Sequence, residues 1–173
     1  MSSIKLVYGS CADQEVDAVV NAANRYLKAG SGICGELFKR AGYQELTEAC
    51  SEIKTPLNDG DAVITKAFNI TNAKYIIHAV GPDFSVKPSA YNELYNAYYN
   101  SLKILKEKNL HSISFPLISS GIFGGNQKSP TKTSAEQCLK AYKQFTEDND
   151  YDIEALLCAY LQSEYDEIKT IET

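Results

Sequence analysis

Two glycine-bearing segments, each set between an apolar run and a helical pattern, constrain the fold of this chain most strongly. The first reads VVNAAN at residues 19–24 and continues as GSGICG at residues 30–35, and the second reads PLISSGIFGG at residues 116–125. Glycine lets the backbone approach a ligand closely, and a helix N-terminus attracts anions. Two such loops therefore predict a site for two phosphates, as in a nucleotide-like diphosphate. We call residues 24–35 the first loop and residues 116–125 the second loop.

Strand-like and helix-like patterns alternate along the chain. Short apolar runs predict strands at residues 4–8, 18–22, 62–65, 75–80, 112–118 and 153–161. Helical spacing of apolar residues predicts helices at residues 35–54, 89–108, 134–145 and 164–171, although Gly42 weakens the middle of the first. This alternation predicts an α/β sandwich with a largely parallel sheet, which binds ligands beyond the carboxyl ends of its strands. The length of 173 residues predicts one domain, residues 1–173.

Composition excludes several classes of function. The five cysteines are scattered and form no C-x-x-C pair, and there are two histidines, so we expect reduced thiols in the cytoplasm and no metal or cofactor. No apolar run approaches the roughly 20 residues of a membrane helix, and we see no signal peptide. The net charge of −5 argues against binding a nucleic-acid backbone. We expect a monomer.

The same charge argument refines the phosphate hypothesis. Residues 30–35 and 119–125 contain no lysine or arginine. If these loops hold phosphates, they must use backbone N–H groups and helix dipoles instead of salt bridges.

Four blocks of the sequence, in order, resemble macrodomains, the ADP-ribose-binding family. Besides the two loops, these are GDAVIT at residues 60–65 and AKYIIHAVGP at residues 73–82. The resemblance runs from about residue 4 to residue 171 and is closest to stand-alone MacroD-like proteins. It implies a three-layer α/β/α sandwich with a mixed, largely parallel sheet. It also implies ADP-ribose or an ADP-ribosylated protein as partner.

The resemblance assigns roles by position. Residues 30–34 would wrap the diphosphate from one side and residues 119–124 from the other. Asn24 would face the distal ribose with Phe123 beside it, and Tyr160 would lie against adenine. Alternatively, Asn21 and Asn24 only cap a turn, and Tyr160 is an ordinary half-buried strand tyrosine. The implied ligand-binding set is Ser10, Cys11, Ala22, Asn24, Gly30, Ser31, Gly32, Ile33, Ser119, Ser120, Gly121, Ile122, Phe123, Gly124 and Tyr160.

Departures from the family pattern bear on the mechanism. Ser10 stands where the family often has an aspartate that accepts from the adenine amino group, and Asp13 could substitute if its loop folds back. Cys34 stands where MacroD-type hydrolases carry an acid thought to position or activate water. With Asn24 it is a catalytic candidate, either as a thiolate at a helix N-terminus or, as the plainer interpretation, as a small buried residue. Glu36 lies two residues further on and is not assigned this role.

Two further features have plain and functional interpretations. Residues 125–133 form a polar stretch that has two interpretations. It is either a mobile flap or, as the preferred interpretation, a solvated surface loop. His78 lies in an apolar run, where a satisfied core histidine is expected.

The sequence leaves three functions open. The preferred hypothesis is a weak mono-ADP-ribosyl hydrolase or O-acetyl-ADP-ribose deacetylase, because the two-loop cleft and Asn24 are present. A non-catalytic reader of ADP-ribose is the alternative, because Cys34 replaces the acid. An altered nucleotide specificity is a third possibility, because of Ser10.

Overall fold

The computed structural model describes residues 1–171, and a mixed sheet runs through its centre. Its strands are β1 (Ser3–Tyr8), β2 (Val16–Ala23), β3 (Ala62–Lys66), β4 (Ala73–Val80), β5 (Ser112–Phe115) and β6 (Glu154–Ala159). They are ordered β1-β6-β5-β2-β4-β3 in one 6-stranded sheet. Neighbours are parallel except β3, which runs antiparallel to β4. The predicted fold class is therefore confirmed.

Helices cover both faces of the sheet and complete three layers. They are α1 (Gly32–Ala41), α2 (Tyr43–Ser51), α3 (Tyr91–Glu107), α4 (Pro130–Asp148) and α5 (Gln162–Ile168). Apolar residues of α1 and α2 pack with one face of β2 and β4. Those of α3, α4 and α5 pack with the other face. The central strands read as continuous apolar runs because helices bury them on both sides.

Two predicted elements were wrong, each for a local reason. The helix predicted at residues 35–54 is two helices, because Gly42 adopts a φ of 108° and ends α1. The strand predicted at residues 112–118 ends at Phe115, since Pro116 has no amide hydrogen for the ladder.

The predicted polar stretch at residues 125–133 is shorter than expected. Helix α4 already begins at Pro130, a residue whose fixed φ suits the first helical position, and Ser129 caps it by accepting from the amide of Lys132. Only residues 125–129 connect the second loop to the helix, so a long flap is not present here.

The parallel strands place the site-bearing segments together. The carboxyl ends of β1, β2, β5 and β6 meet at one edge of the sheet, where residues 9–10, the first loop, the second loop and Tyr160 follow them. Within residues 1–171, no helix has both the length and the apolar composition needed to cross a membrane.

Candidate ligand-binding site

A cavity of about 700 Å³ opens at the carboxyl edge of the parallel strands. This volume lies in the range of small-molecule sites. The lining includes every residue of the predicted ligand-binding set except Gly124, and it also includes Cys34. That these residues contact a ligand stays a prediction. The lining is formed by Gly9, Ser10, Cys11, Ala22, Ala23, Asn24, Gly30, Ser31, Gly32, Ile33, Cys34, Glu36, Pro116, Leu117, Ser119, Ser120, Gly121, Ile122, Phe123, Cys158, Tyr160, Leu161 and Glu164.

The charged side chains of the described lining are all acidic. Among residues 1–171, the side chains that line the cavity include no lysine, arginine or histidine, whereas Glu36 and Glu164 contribute carboxylates. A phosphate bound here must therefore be neutralised by main-chain N–H groups and helix dipoles, as the sequence predicts.

The first loop delivers the N-terminus of α1 to the cavity. Ser31 is the N-cap residue but makes no side-chain cap bond, and the first turn carries no acidic residue. The first N–H groups of a helix have no intrahelical acceptor. They are consequently available to an anion. The turn also requires Gly35, because a Cβ there would lie 2.5 Å from the carbonyl oxygen of Gly30.

Asn24 both caps the first loop and lines the cavity. Its Oδ1 accepts from the amides of Tyr26 (3.2 Å) and Lys28 (3.0 Å), and its Nδ2 donates to the carbonyl of Lys28 (2.8 Å). Asn24 therefore caps a turn, as the alternative proposed, whereas Asn21 lies within β2 and does not. An amide carries two Nδ2 hydrogens, so one remains for a hydroxyl in the cavity.

A buried polar chain lies beneath the first loop. The Nδ2 atom of Asn21 is 3.8 Å from the Sγ atom of Cys34 and 3.0 Å from Nδ1 of His78. The Nε2 atom of His78 is 2.9 Å from the hydroxyl of Thr65. Burial lowers the pKa of His78 to about 4, so the ring is neutral near pH 7. The expected satisfied core histidine is confirmed.

The thiol of Cys34 is not activated by the helix N-terminus. Burial raises its pKa above the ordinary value and outweighs its contacts with Asn21 and Gly30. Its Sγ lies 3.5 Å from the carbonyl oxygen of Lys28, to which the thiol donates. The structure thus favours the plainer interpretation, a protonated buried thiol, over a thiolate base.

A pair of buried hydroxyls holds the second loop. The hydroxyl of Tyr98 accepts from the amide of Ile118 (2.9 Å) and lies 2.6 Å from that of Ser134. Ser134 in turn lies 2.5 Å from the carbonyl of Ile118. Further along, Ser119 donates to the carbonyl of Pro82 (2.7 Å). These bonds replace the ladder that β5 leaves at Phe115.

Gly124 is the one residue of the predicted set that is absent from the cavity lining. It is buried, and a Cβ there would lie 2.9 Å from Pro130. Its neighbours Ile122 and Phe123 lie in the lining and are exposed. The glycine therefore serves the packing of the loop on α4.

Ser10 and Tyr160, which follow the neighbouring strands β1 and β6, also line the cavity. The hydroxyl oxygen of Ser10 accepts from the amide of Ala12 (3.2 Å) and caps a short 3₁₀ turn, Cys11–Asp13. Tyr160 follows β6 and is 63% exposed, so the half-buried alternative was wrong. Asp13 is exposed, lies outside the lining and pairs with Arg40 (2.7 Å), which contradicts its suggested role as a substitute acceptor.

Sequence reasoning missed the carboxylates of Glu36 and Glu164 in the lining. Cys34 is buried and Glu36 lies about 200° further around the helix, yet both contribute to the lining. A signal was present in the sequence, since Ile33, Glu36 and Arg40 have the spacing of one helical face.

Comparisons with known proteins agree with this geometry. A macrodomain of Oceanobacillus iheyensis with ADP superposes with a TM-score of 0.85 at 32% identity, covering 95% of this chain and 87% of the other. An uncharacterized protein of Fusobacterium nucleatum is 43% identical over 89% of this chain and 85% of its own. The ADP-ribose glycohydrolase MACROD1 of Bos taurus is 37% identical over 93% of this chain, which spans 48% of that relative. Residues 20–144 match the Macro domain family, and the chain belongs to it.

Proposed function

We propose that this chain binds ADP-ribose in the cavity, with the diphosphate between the two loops. One observation carries the proposal, namely the uncapped N-terminus of α1 facing a second glycine-bearing loop across a cavity without cationic side chains. A helix N-terminus is suited to an anion. The related macrodomain with ADP and the related ADP-ribose glycohydrolase support the choice of ligand.

We further propose slow hydrolysis of a mono-ADP-ribosylated protein or of O-acetyl-ADP-ribose. A general base must be ionised near neutral pH and within reach of the water. The raised pKa of Cys34 argues against that role for its thiol, and Glu36 is already paired with Arg40. The attacking water is instead held against the phosphate of the substrate, while Asn24 orients the distal ribose. Lacking a protein base, the reaction is slow.

A reader without turnover is the second candidate. It is favoured by the protonated thiol at position 34, where MacroD-type hydrolases carry an acid. Binding would then be the whole function, and the cavity would need no further chemical group.

Calorimetric titration tests the binding proposal. ADP-ribose should bind, and AMP and NAD should bind more weakly, because AMP lacks the second phosphate and the terminal ribose of NAD carries nicotinamide. A titration with no heat and no thermal shift for ADP-ribose would contradict the proposal.

Release of ADP-ribose from a mono-ADP-ribosylated substrate tests catalysis. Asn24→Ala should slow release by on the order of 10- to 100-fold, because a mispositioned substrate reacts poorly. Asn92→Ala, at an exposed position on α3, is the matched control and should keep the parent rate. If the protein binds ADP-ribose but releases none above background, the hydrolase proposal is contradicted and the reader function is supported.

A further inference from the structure

The two ends of the cavity differ in polarity. The strand order places the residues that follow β1 and β6 at one end of the cavity and the two loops, which follow β2 and β5, at the other. The loops offer main-chain N–H groups. The end with Ser10, Cys11 and Tyr160 carries the carboxylate of Glu164, and Glu36 lies close enough for its charge to raise the pKa of Cys11. We call this the acidic end. A phosphate is repelled there, and a ligand group that donates hydrogen bonds is favoured. The cavity therefore orients a bound nucleotide, with its phosphates at the loops and its hydrogen-bond donors at the acidic end.

Glu36 is held in place by an arginine that lies outside the lining. The Nη2 atom of Arg40 is 2.6 Å from Oε1 of Glu36 and 2.7 Å from Oδ1 of Asp13. Its Nη1 donates to the carbonyl of Ala12 (3.0 Å). Arg40 thereby joins α1 to the 3₁₀ turn that Ser10 caps, so Glu36 and Ser10 keep a fixed relation.

The second oxygen of Glu36 is available to a ligand. Hydrogen bonds among residues 1–171 engage Oε1 alone, and the side chain is 31% exposed. Burial raises the pKa of the neighbouring Cys11, and Cys158 and the charge of Glu36 raise it further, as expected for a carboxylate close to this end of the cavity. Glu36 thus offers one free, oriented acceptor.

Glu164 also lines the cavity, and its Oε1 accepts from the amide of Leu161 (3.0 Å) at the start of α5. This bond lies within the α5 segment, whereas Arg40 joins Glu36 to the turn that Ser10 caps. The hydroxyl hydrogen of Ser10 is not donated to any of residues 1–171, because only its oxygen is used. Glu36 is therefore the acceptor that is held in a fixed relation to the unused donor of Ser10.

We propose that Glu36 is the residue that selects the base of the nucleotide. This rests on the proposed binding of ADP-ribose. The free oxygen of Glu36 accepts from the 6-amino group of adenine, Ser10 donates to a ring nitrogen, and the exposed ring of Tyr160 stacks on the base. A purine with a 6-oxo group presents lone pairs to the carboxylate and is rejected.

Calorimetry with ADP-ribose and its hypoxanthine analogue, inosine diphosphate ribose, tests this role. The parent protein should prefer ADP-ribose by at least about tenfold, as expected for a hydrogen bond to a charged group. Glu36→Ala should reduce affinity for ADP-ribose about 10- to 100-fold and change that for the analogue little. Glu36→Gln keeps a polar contact to Arg40 and should bind the analogue more tightly than the parent, since its amide donates to the 6-oxo group.

Glu15→Gln, at an exposed position outside the cavity lining, is the matched control and should retain the preference of the parent. An unchanged preference in both Glu36 variants, with their thermal unfolding intact, would overturn the proposal, as would a parent protein that does not discriminate. A parent protein that binds neither compound would instead contradict the proposed function. The two failures are therefore distinguishable.

Discussion

The two loops rest on buried polar supports of different kinds. Beneath the first loop, Cys34 contacts Asn21, which contacts His78, which contacts Thr65. We call Asn21, His78 and Thr65 the first support. Beneath the second loop, the hydroxyls of Tyr98 and Ser134 bond to each other and to the backbone of Ile118. We call this pair the second support.

The two supports differ in whether they contain a group that ionises in mild acid and in whether all their buried polar atoms are hydrogen-bonded. The first contains an ionisable ring, and the buried Oδ1 of Asn21 has no hydrogen-bond partner among residues 1–171. In the second, both hydroxyls are engaged, and burial raises the pKa of Tyr98 far above its ordinary value. The first loop should therefore respond to pH, while the second should depend on single hydroxyl groups.

The largest expected effect comes from filling the first loop with a side chain. Gly32 lines the cavity with a φ of 59°, and a Cβ there would meet nothing within 4 Å. Gly32→Val should abolish detectable binding of ADP-ribose in a calorimetric titration. The branched side chain would occupy the space that the diphosphate needs.

Gly32→Ala is the control, because it carries the same backbone strain with less bulk. Both variants should lose about 1–2 kcal/mol of unfolding free energy from the left-handed conformation. If the valine variant kept its affinity, the diphosphate would not lie against this turn.

Acid should weaken the first support before the second. The pKa of His78 is lowered from 6.5 to about 4 in the folded state, so the unfolded chain binds its proton first. The stability that this residue contributes is complete above pH 6.5 and is lost as the pH falls toward 4. At about 1.4 kcal/mol per pKa unit, the loss is on the order of 3 kcal/mol. Denaturant unfolding at pH 7 and pH 4.5 measures it.

His78→Gln should flatten this pH dependence, because its amide does not titrate. His111→Gln is the matched control, since His111 is exposed and is the other histidine of the chain. An identical pH profile in the parent protein and the His78 variant would show that protonation of the first support does not limit stability in acid.

Local sequence patterns predicted the two loops, whereas the buried contacts of the two supports could be identified only from the folded structure. Both loops could be located because glycines and apolar runs mark them along the chain. The contact between Asn21 and His78 depends on the parallel register of β2 and β4, which pairs these residues, and no local pattern contains it. Glu36 was missed for a similar reason, since its place in the lining depends on how α1 is rotated above the sheet.

Removing one hydroxyl should loosen the second loop. Tyr98 is fully buried, and Tyr98→Phe would leave the amide of Ile118 without its acceptor. We expect a loss of about 1–3 kcal/mol in unfolding free energy, as for other buried groups left unpaired. Tyr43→Phe, at an exposed position, should lose none of it. Equal stability of the two variants in denaturant titrations would show that the second support is dispensable.

The smallest effect is expected at Cys34, where the first support reaches the cavity. Because burial raises its pKa, the thiol stays protonated near pH 7 and cannot act as the base. Cys34→Ala should therefore leave the rate of ADP-ribose release within about twofold, as befits a small buried group outside the chemistry. A thiolate base would instead make the parent rate rise about tenfold per pH unit between pH 6 and 8, and alanine would abolish that slope. Such a slope, lost in the variant, would mean that the first support activates the thiol of Cys34 as a base and does more than hold the loop.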